Sequence, residues 1–186
     1  MIYLIDDYLT ESSHSNNMLA IVRRNTSQQV KLIELGTTIS DIIVIIENLY
    51  QYVCPADIVL CPWAIPKNLS INGMFDDLAD LCWVVVAAGN SCELIDNWTP
   101  ASAEKVITVG TLNKSGNKAS LSNYSADKKI EWVTGTNYML DKNISGTSVS
   151  SALYAAYLAE AIYAKDIRIV DILIKKRAEV ALKELC

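Results

Sequence analysis

Short apolar runs alternate with longer amphipathic stretches along almost the whole chain. Met1 to Ile5 (MIYLI) is apolar and stops abruptly at Asp6 and Asp7, the pattern of a buried strand with acids at its carboxyl end. From His14 to Arg24, residues Met18, Leu19, Ile21 and Val22 fall on one face and Arg23 and Arg24 end the run, which predicts a helix. Val30 to Leu35 reads as a second strand closed by Gly36. Ser40 and Asp41 then cap a helix whose Ile42, Ile43, Ile45, Ile46 and Leu49 keep a 3.6-residue period. Asp57 to Trp63 is a third strand, followed by a loop rich in Pro, Asn and Gly and a helix over Phe75 to Cys82. Trp83 to Ala88 (WVVVAA), Val106 to Gly110 and Ile130 to Gly135 supply three more strands, with a hairpin turn at Ser115 to Lys118. After a turn at Gly135 to Asn137, the stretch Ile144 to Ala159 leads from Gly146-Thr147-Ser148 into a helix apolar on every side. Ile167 to Leu185 closes the chain as an amphipathic helix.

Strands this continuously apolar, alternating with helices, predict an α/β fold: a three-layer sandwich with a mostly parallel sheet covered by helices on both faces. The 186 residues are read as a single domain, 1–186. With 51% apolar and 20% charged residues the chain has the balance of a globular protein. A net charge of −5 without a basic patch argues against nucleic acid. The run Lys175, Lys176 and Arg177 reads as a solvated helix face. The apolar runs are too short for a membrane span, and no signal peptide is visible after Met1, so the expected location is the cytoplasm. Five cysteines lack the spacing of a disulfide framework or zinc site, and Cys54, Cys61 and Cys82 are expected as reduced core residues. No glycine-rich phosphate loop is present, and neither a cofactor nor a metal is expected.

In parallel α/β sheets, functional groups gather beyond the carboxyl ends of the strands. Asp6, Asn90 and the loop after Trp63 are predicted there. His14, the only histidine, falls at the start of the helix after the Asp6 strand, so a local connection brings carboxylate and imidazole together. Ser148 starts a buried helix, whose unpaired N–H groups and dipole favour developing negative charge. Asp orienting His, with His accepting a proton from Ser, is the arrangement acyl transfer needs. Asp7 is expected to point away on an extended strand, which favours Asp6.

These segments, in this order, resemble the subtilisin-like serine proteases (subtilases). Leu4 to Asp6 (LID) resembles the strand that ends in the catalytic aspartate, and HSNNMLAIV (His14 to Val22) the His-Gly-Thr-x-Val-Ala helix. ADIVLCPW is similar to the strand before the substrate-binding loop, and VVVAAGNS (Val84 to Ser91) to the oxyanion-hole segment. KVITVGTLNKSGNKASLSNYS is similar to the Val-Ile-x-Val-Gly-Ala strand with its hairpin. SGTSVSSALYAAYLA resembles the nucleophile helix. The resemblance implies a subtilisin-like fold and a serine endopeptidase with Ser148 as nucleophile, His14 as base and Asp6 as orienting carboxylate. Asn90 and the Ser148 N–H would form the oxyanion hole. A peptide or protein substrate would lie as an added strand between Gly36 to Ile39, including Thr37, and Pro62 to Ile65. Trp63 and Ile65 would narrow the side-chain pockets, or pack the sheet edge, and Ala64, Ala88 and Gly89 belong to the implied substrate-binding set.

The chain departs from the family pattern at several points. The Asp6–His14 spacing is short, His-Gly-Thr has become His14-Ser15-Asn16, and Ala152 replaces a proline after the nucleophile. Neither calcium loops nor a propeptide is recognisable. This predicts a minimal form, with an exposed sheet edge that invites a homodimer or docking partner. An alternative reading is a catalytically impaired subtilase-like domain that binds peptides or partners. A receiver-like signalling domain fits less well, because Cys61 or Pro62 stands where that fold needs a phosphoacceptor aspartate.

Overall fold

The structure, a computed structural model, describes residues 1–7, 14–36 and 38–183. Its centre is a six-stranded sheet built from β1 (Ile2–Asp6), β2 (Val30–Glu34), β3 (Ile58–Cys61), β5 (Trp83–Ala87), β7 (Ile107–Leu112) and β8 (Glu131–Thr134). The order is β2-β1-β3-β5-β7-β8 and every pairing is parallel. Two further short pairs lie outside it: β4 (Ile65–Pro66) with β6 (Trp98–Thr99), and β9 (Tyr138–Met139) with β10 (Asn143–Ile144).

Successive side chains on a strand point to opposite faces, so each central strand feeds two cores. Ile2, Leu4, Ile58, Leu60, Val85, Val109 and Val133 pack beneath α1 (His14–Asn25), α4 (Thr147–Ala164) and α5 (Arg168–Lys183). Tyr3, Ile5, Val59, Cys61, Val84 and Val86 pack under α2 (Ile39–Leu49) and α3 (Leu69–Ala79). The three-layer α/β sandwich expected from the sequence is the observed fold. Almost every side chain of α4 is buried, which explains why no polar face could be read there.

Several boundaries differ from expectation. Helix α2 is capped by Thr38, not by Ser40 or Asp41. The Thr38 hydroxyl accepts from the Asp41 N–H, and the Asp41 carboxylate, at the third helical position, accepts in return. Helix α3 begins at Leu69 and ends at Ala79, because Asn68 caps it by accepting from the Ile71 N–H. Gly73 thus lies inside a helix where a loop was expected. The β9–β10 hairpin fills what read as a plain turn before α4. Cys61 and Cys82 are buried, but Cys54 is exposed rather than a core residue. No described helix is long and apolar enough to cross a membrane.

Candidate active site

β1 carries Asp6 to its carboxyl end, where the side chain is 3% exposed overall. Helix α1 starts at His14, and its Nδ1 lies 2.8 Å from Asp6 Oδ2 and 3.0 Å from Oδ1. Asp6 Oδ1 also accepts from the Asp7 N–H at 2.9 Å. With a carboxylate on Nδ1, the tautomer that leaves Nε2 free to accept a proton is favoured. Burial pushes the His14 pKa down, but the hydrogen bond to Asp6 and the charges of Asp6 and Asp7 outweigh it and hold the imidazole above its usual value.

Asp7 does not point away from this pair. Its Oδ1 accepts from the Ser15 N–H at 2.9 Å, satisfying a first-turn donor of the helix that carries His14. The bend after β1 turns the side chain back toward α1, where an uninterrupted strand would have aimed it elsewhere. Ligand atoms of Asp6, Asp7 and His14 therefore lie within 4.8 Å of one another. Asp6 Oδ1 and Asp7 Oδ1 already accept from the Asp7 and Ser15 N–H groups, and Asp6 Oδ2 faces His14 Nδ1.

Ser148 is the second residue of α4 and is half-buried at the carboxyl edge of the sheet. Gly146 precedes the helix at φ +144°, a region side chains avoid, and its N–H donates to Gly135 at the end of β8. Helices α1 and α4 pack together, so the starts that bear His14 and Ser148 share one edge. Among the described residues, no hydrogen bond joins the Ser148 hydroxyl to His14; such contacts often tighten only when substrate is bound.

Asn90 follows β5, and its Oδ1 accepts from the Thr147 N–H at 2.9 Å and the Thr147 hydroxyl at 3.1 Å. The Thr147 hydroxyl in turn accepts from the Gly89 N–H at 3.1 Å. This fixes the amide beside Thr147, one residue before Ser148, with Nδ2 unpaired among the described residues. Thr147 is fully buried and was not singled out from the sequence, where it passed as part of a common tripeptide. Asn123 was missed as well. Its Nδ2 donates to the Ala88 carbonyl and its Oδ1 accepts from the Ser91 and Glu93 N–H groups. Gly89 sits at φ +100°, and a Cβ there would come within 2.4 Å of the Asn123 amide, so only glycine fits.

The segments expected to hold a peptide stand on either side of the carboxyl end of β1. Gly36 follows β2, and the Leu35 N–H donates to the Asp6 carbonyl. Thr37 lies outside the described residues. Pro62, Trp63 and Ala64 follow β3, with Ala64 packed near Gly89 and Ala88 buried behind it. Trp63 is tied down rather than open: its indole N–H donates to the Ile5 carbonyl at 2.9 Å and its ring meets Phe75 edge-on. It packs the sheet edge.

The comparisons bear on the fold that carries this arrangement. Subtilisin-like proteinase 2 of Encephalitozoon cuniculi is 32% identical over 95 residues, covering 50% of this chain and 18% of its own length. Subtilisin-like protease 2 of Pseudogymnoascus destructans is 38% identical over 87 residues, covering 40% of this chain and 21% of its own. The crystal structure of a cold adapted subtilisin-like serine proteinase superposes with a TM-score of 0.75. That match covers 94% of this chain and 80% of the other, at 15% identity. The fold is that of the subtilisin-like serine proteinases, and part of the chain is similar in sequence to curated subtilisin-like proteases. No family model matches it. The chain spans about a fifth of the length of those two curated relatives.

Proposed function

We propose that this chain is a serine endopeptidase in which Ser148 attacks the substrate carbonyl and His14 takes its proton. The observation that carries the reading is the buried Asp6 carboxylate bonded to His14 Nδ1, at the same sheet edge as an Asn90 amide anchored beside Ser148. Asp6 orients the imidazole and stabilises it when it becomes charged. The tetrahedral oxyanion is received by Asn90 Nδ2 and the Ser148 N–H, which lacks an intrahelical partner in the first turn of α4. Collapse of that intermediate expels the amine, protonated by His14, and leaves an acyl-enzyme that water hydrolyses through the same base. The substrate backbone lies between the segments after Gly36 and Pro62, adding a strand beside the carboxyl end of β1. A shallow cavity of about 380 Å³ beside Gly36, lined by Glu34, Leu35, Asp41, Val44 and Ile45, takes one of its side chains. The cytoplasm is the proposed setting, and the outer strand β2 the proposed place for a second copy or partner.

Labelling by a fluorophosphonate tests this. Wild-type protein is expected to be labelled at Ser148, while Ser148→Ala, His14→Ala and Asp6→Asn take no label. A folded wild type that stays unlabelled would overturn the peptidase reading and leave the binding-domain alternative.

A further inference from the structure

Lys128 is a half-buried cation for which the chemistry above has no use. Its ammonium donates to the Ala101 carbonyl at 3.1 Å, to the Thr108 hydroxyl at 2.8 Å and to the Ala103 carbonyl. Among the described residues no carboxylate touches it; Asp76 and Glu104 act on it only at longer range. Thr108 spends its own proton on the Ala101 carbonyl at 2.8 Å, leaving a lone pair for the ammonium. Two carbonyls and a hydroxyl converging on one point without an acid form the oxygen cage of a small monovalent cation. Here the cation is covalently attached.

The cage spans parts of the fold that are distant in sequence. Thr108 belongs to β7, Ala101 and Ala103 follow β6, and the Lys128 N–H is held by the Ser125 hydroxyl. Ala101 packs with Ala88, Ile95 and Trp98. β6 pairs with β4, directly after Ala64. Residues 98–103 are thus a floor beneath both walls, 62–64 and 88–90, between which the substrate is proposed to lie. Without a cation, the Ala101 carbonyl would keep only the Thr108 hydroxyl and the Ala103 carbonyl would lose its ammonium donor.

We propose that Lys128 is a positioning residue: its ammonium acts as a tethered cation that holds segment 98–103 under Ala88 and Asn90, so that the oxyanion donor and substrate wall keep their places. This rests on the peptidase reading above. A free cation of similar size then restores the cage once the side chain is removed.

The test compares fluorophosphonate labelling rates and thermal midpoints of wild type, Lys128→Ala and Lys128→Met. Each is measured in methylammonium, potassium or tetramethylammonium chloride at equal ionic strength. Lys128→Ala is expected to label about tenfold to a hundredfold more slowly in tetramethylammonium, and to recover in methylammonium or potassium, with a parallel rise in midpoint. Lys128→Met, whose thioether fills the cage, is expected to be slow in all three salts. Full-rate labelling of either variant in tetramethylammonium, or a slow Lys128→Ala that no small cation restores, would overturn the proposal. An unlabelled wild type removes the peptidase reading and the positioning role together. A cation-specific rise in the Lys128→Ala midpoint would then establish the cage alone. Should both variants fail to fold, acetylation of the wild type decides. Lys128 is expected to resist acetic anhydride while the exposed Lys129 reacts, and equal rates would refute the cage.

Discussion

Two residues flanking the proposed chemistry separate structure from reactivity. The His14 imidazole is held above its ordinary value of about 6.5, after its burial is outweighed, by the Asp6 hydrogen bond and the charges of Asp6 and Asp7. A base works only when neutral, so the acid limb of kcat/KM is expected above that value, with activity falling as the pH drops through it. Asp7→Asn keeps the oxygen that accepts from Ser15 and removes one charge. It should move the acid limb to lower pH with little loss at the plateau, as a pH–rate profile would show. An unshifted limb would mean that Asp7 does not sense the imidazole. At Asn90, the Thr147 donors engage only Oδ1. Asn90→Ala should lower kcat by about 10²–10³-fold, the figure established for subtilisin's own oxyanion asparagine. Asn90→Asp can accept the same two hydrogen bonds but offers an oxygen where the NH2 stood. It is expected to keep the thermal midpoint and lose at least as much turnover.

Between elements, what was legible depended on whether a signal was local. The strands and the helix periods at 14–24 and 42–49 could be read because burial on both faces or one face repeats at a fixed interval. The start of α3 could not, since one capping bond at Asn68 outweighs a glycine and a mixed composition. Asp6, His14, Asn90 and Ser148 could be put forward as candidates because short motifs carry them. Asn123 and Thr147 were not, because their partners lie 30 or more residues away. Asn123 is the prop of the loop that presents Asn90, and its loss leaves a carbonyl and two N–H groups without partners. At about 1 kcal/mol for each bond, Asn123→Ala should cost about 3 kcal/mol. That lowers the thermal midpoint by roughly 6–12 °C for a domain of this size. A calorimetric scan measures it, and labelling of Ser148 should slow even below the transition.

For the whole molecule, the sheet order places β1 between the segments that follow β2 and β3, and that order brings Gly36, Asp6 and Pro62 to one edge. Pattern reading gave layers and strand direction; it gave neither strand order nor register, which arise from long-range pairing. Nor could it show that Asp7 turns back onto α1, since the bend lies between two legible elements. At the centre of this arrangement α4 touches α1, α5 and strands β3, β5, β7 and β8. A segment whose neighbours include every strand from β3 to β8 of the central sheet cannot open by itself; its amides exchange with solvent only when the domain unfolds as a unit. Hydrogen exchange at Ser150 to Leu158 is therefore expected to match the global unfolding free energy and to track it across denaturant, with α2 exchanging faster. The nucleophile would then be mounted on the slowest-opening part of the chain, so that a partially unfolded molecule still carries an ordered Ser148. Inactivation by mild denaturant should accordingly begin at the segments around it and reach the serine last.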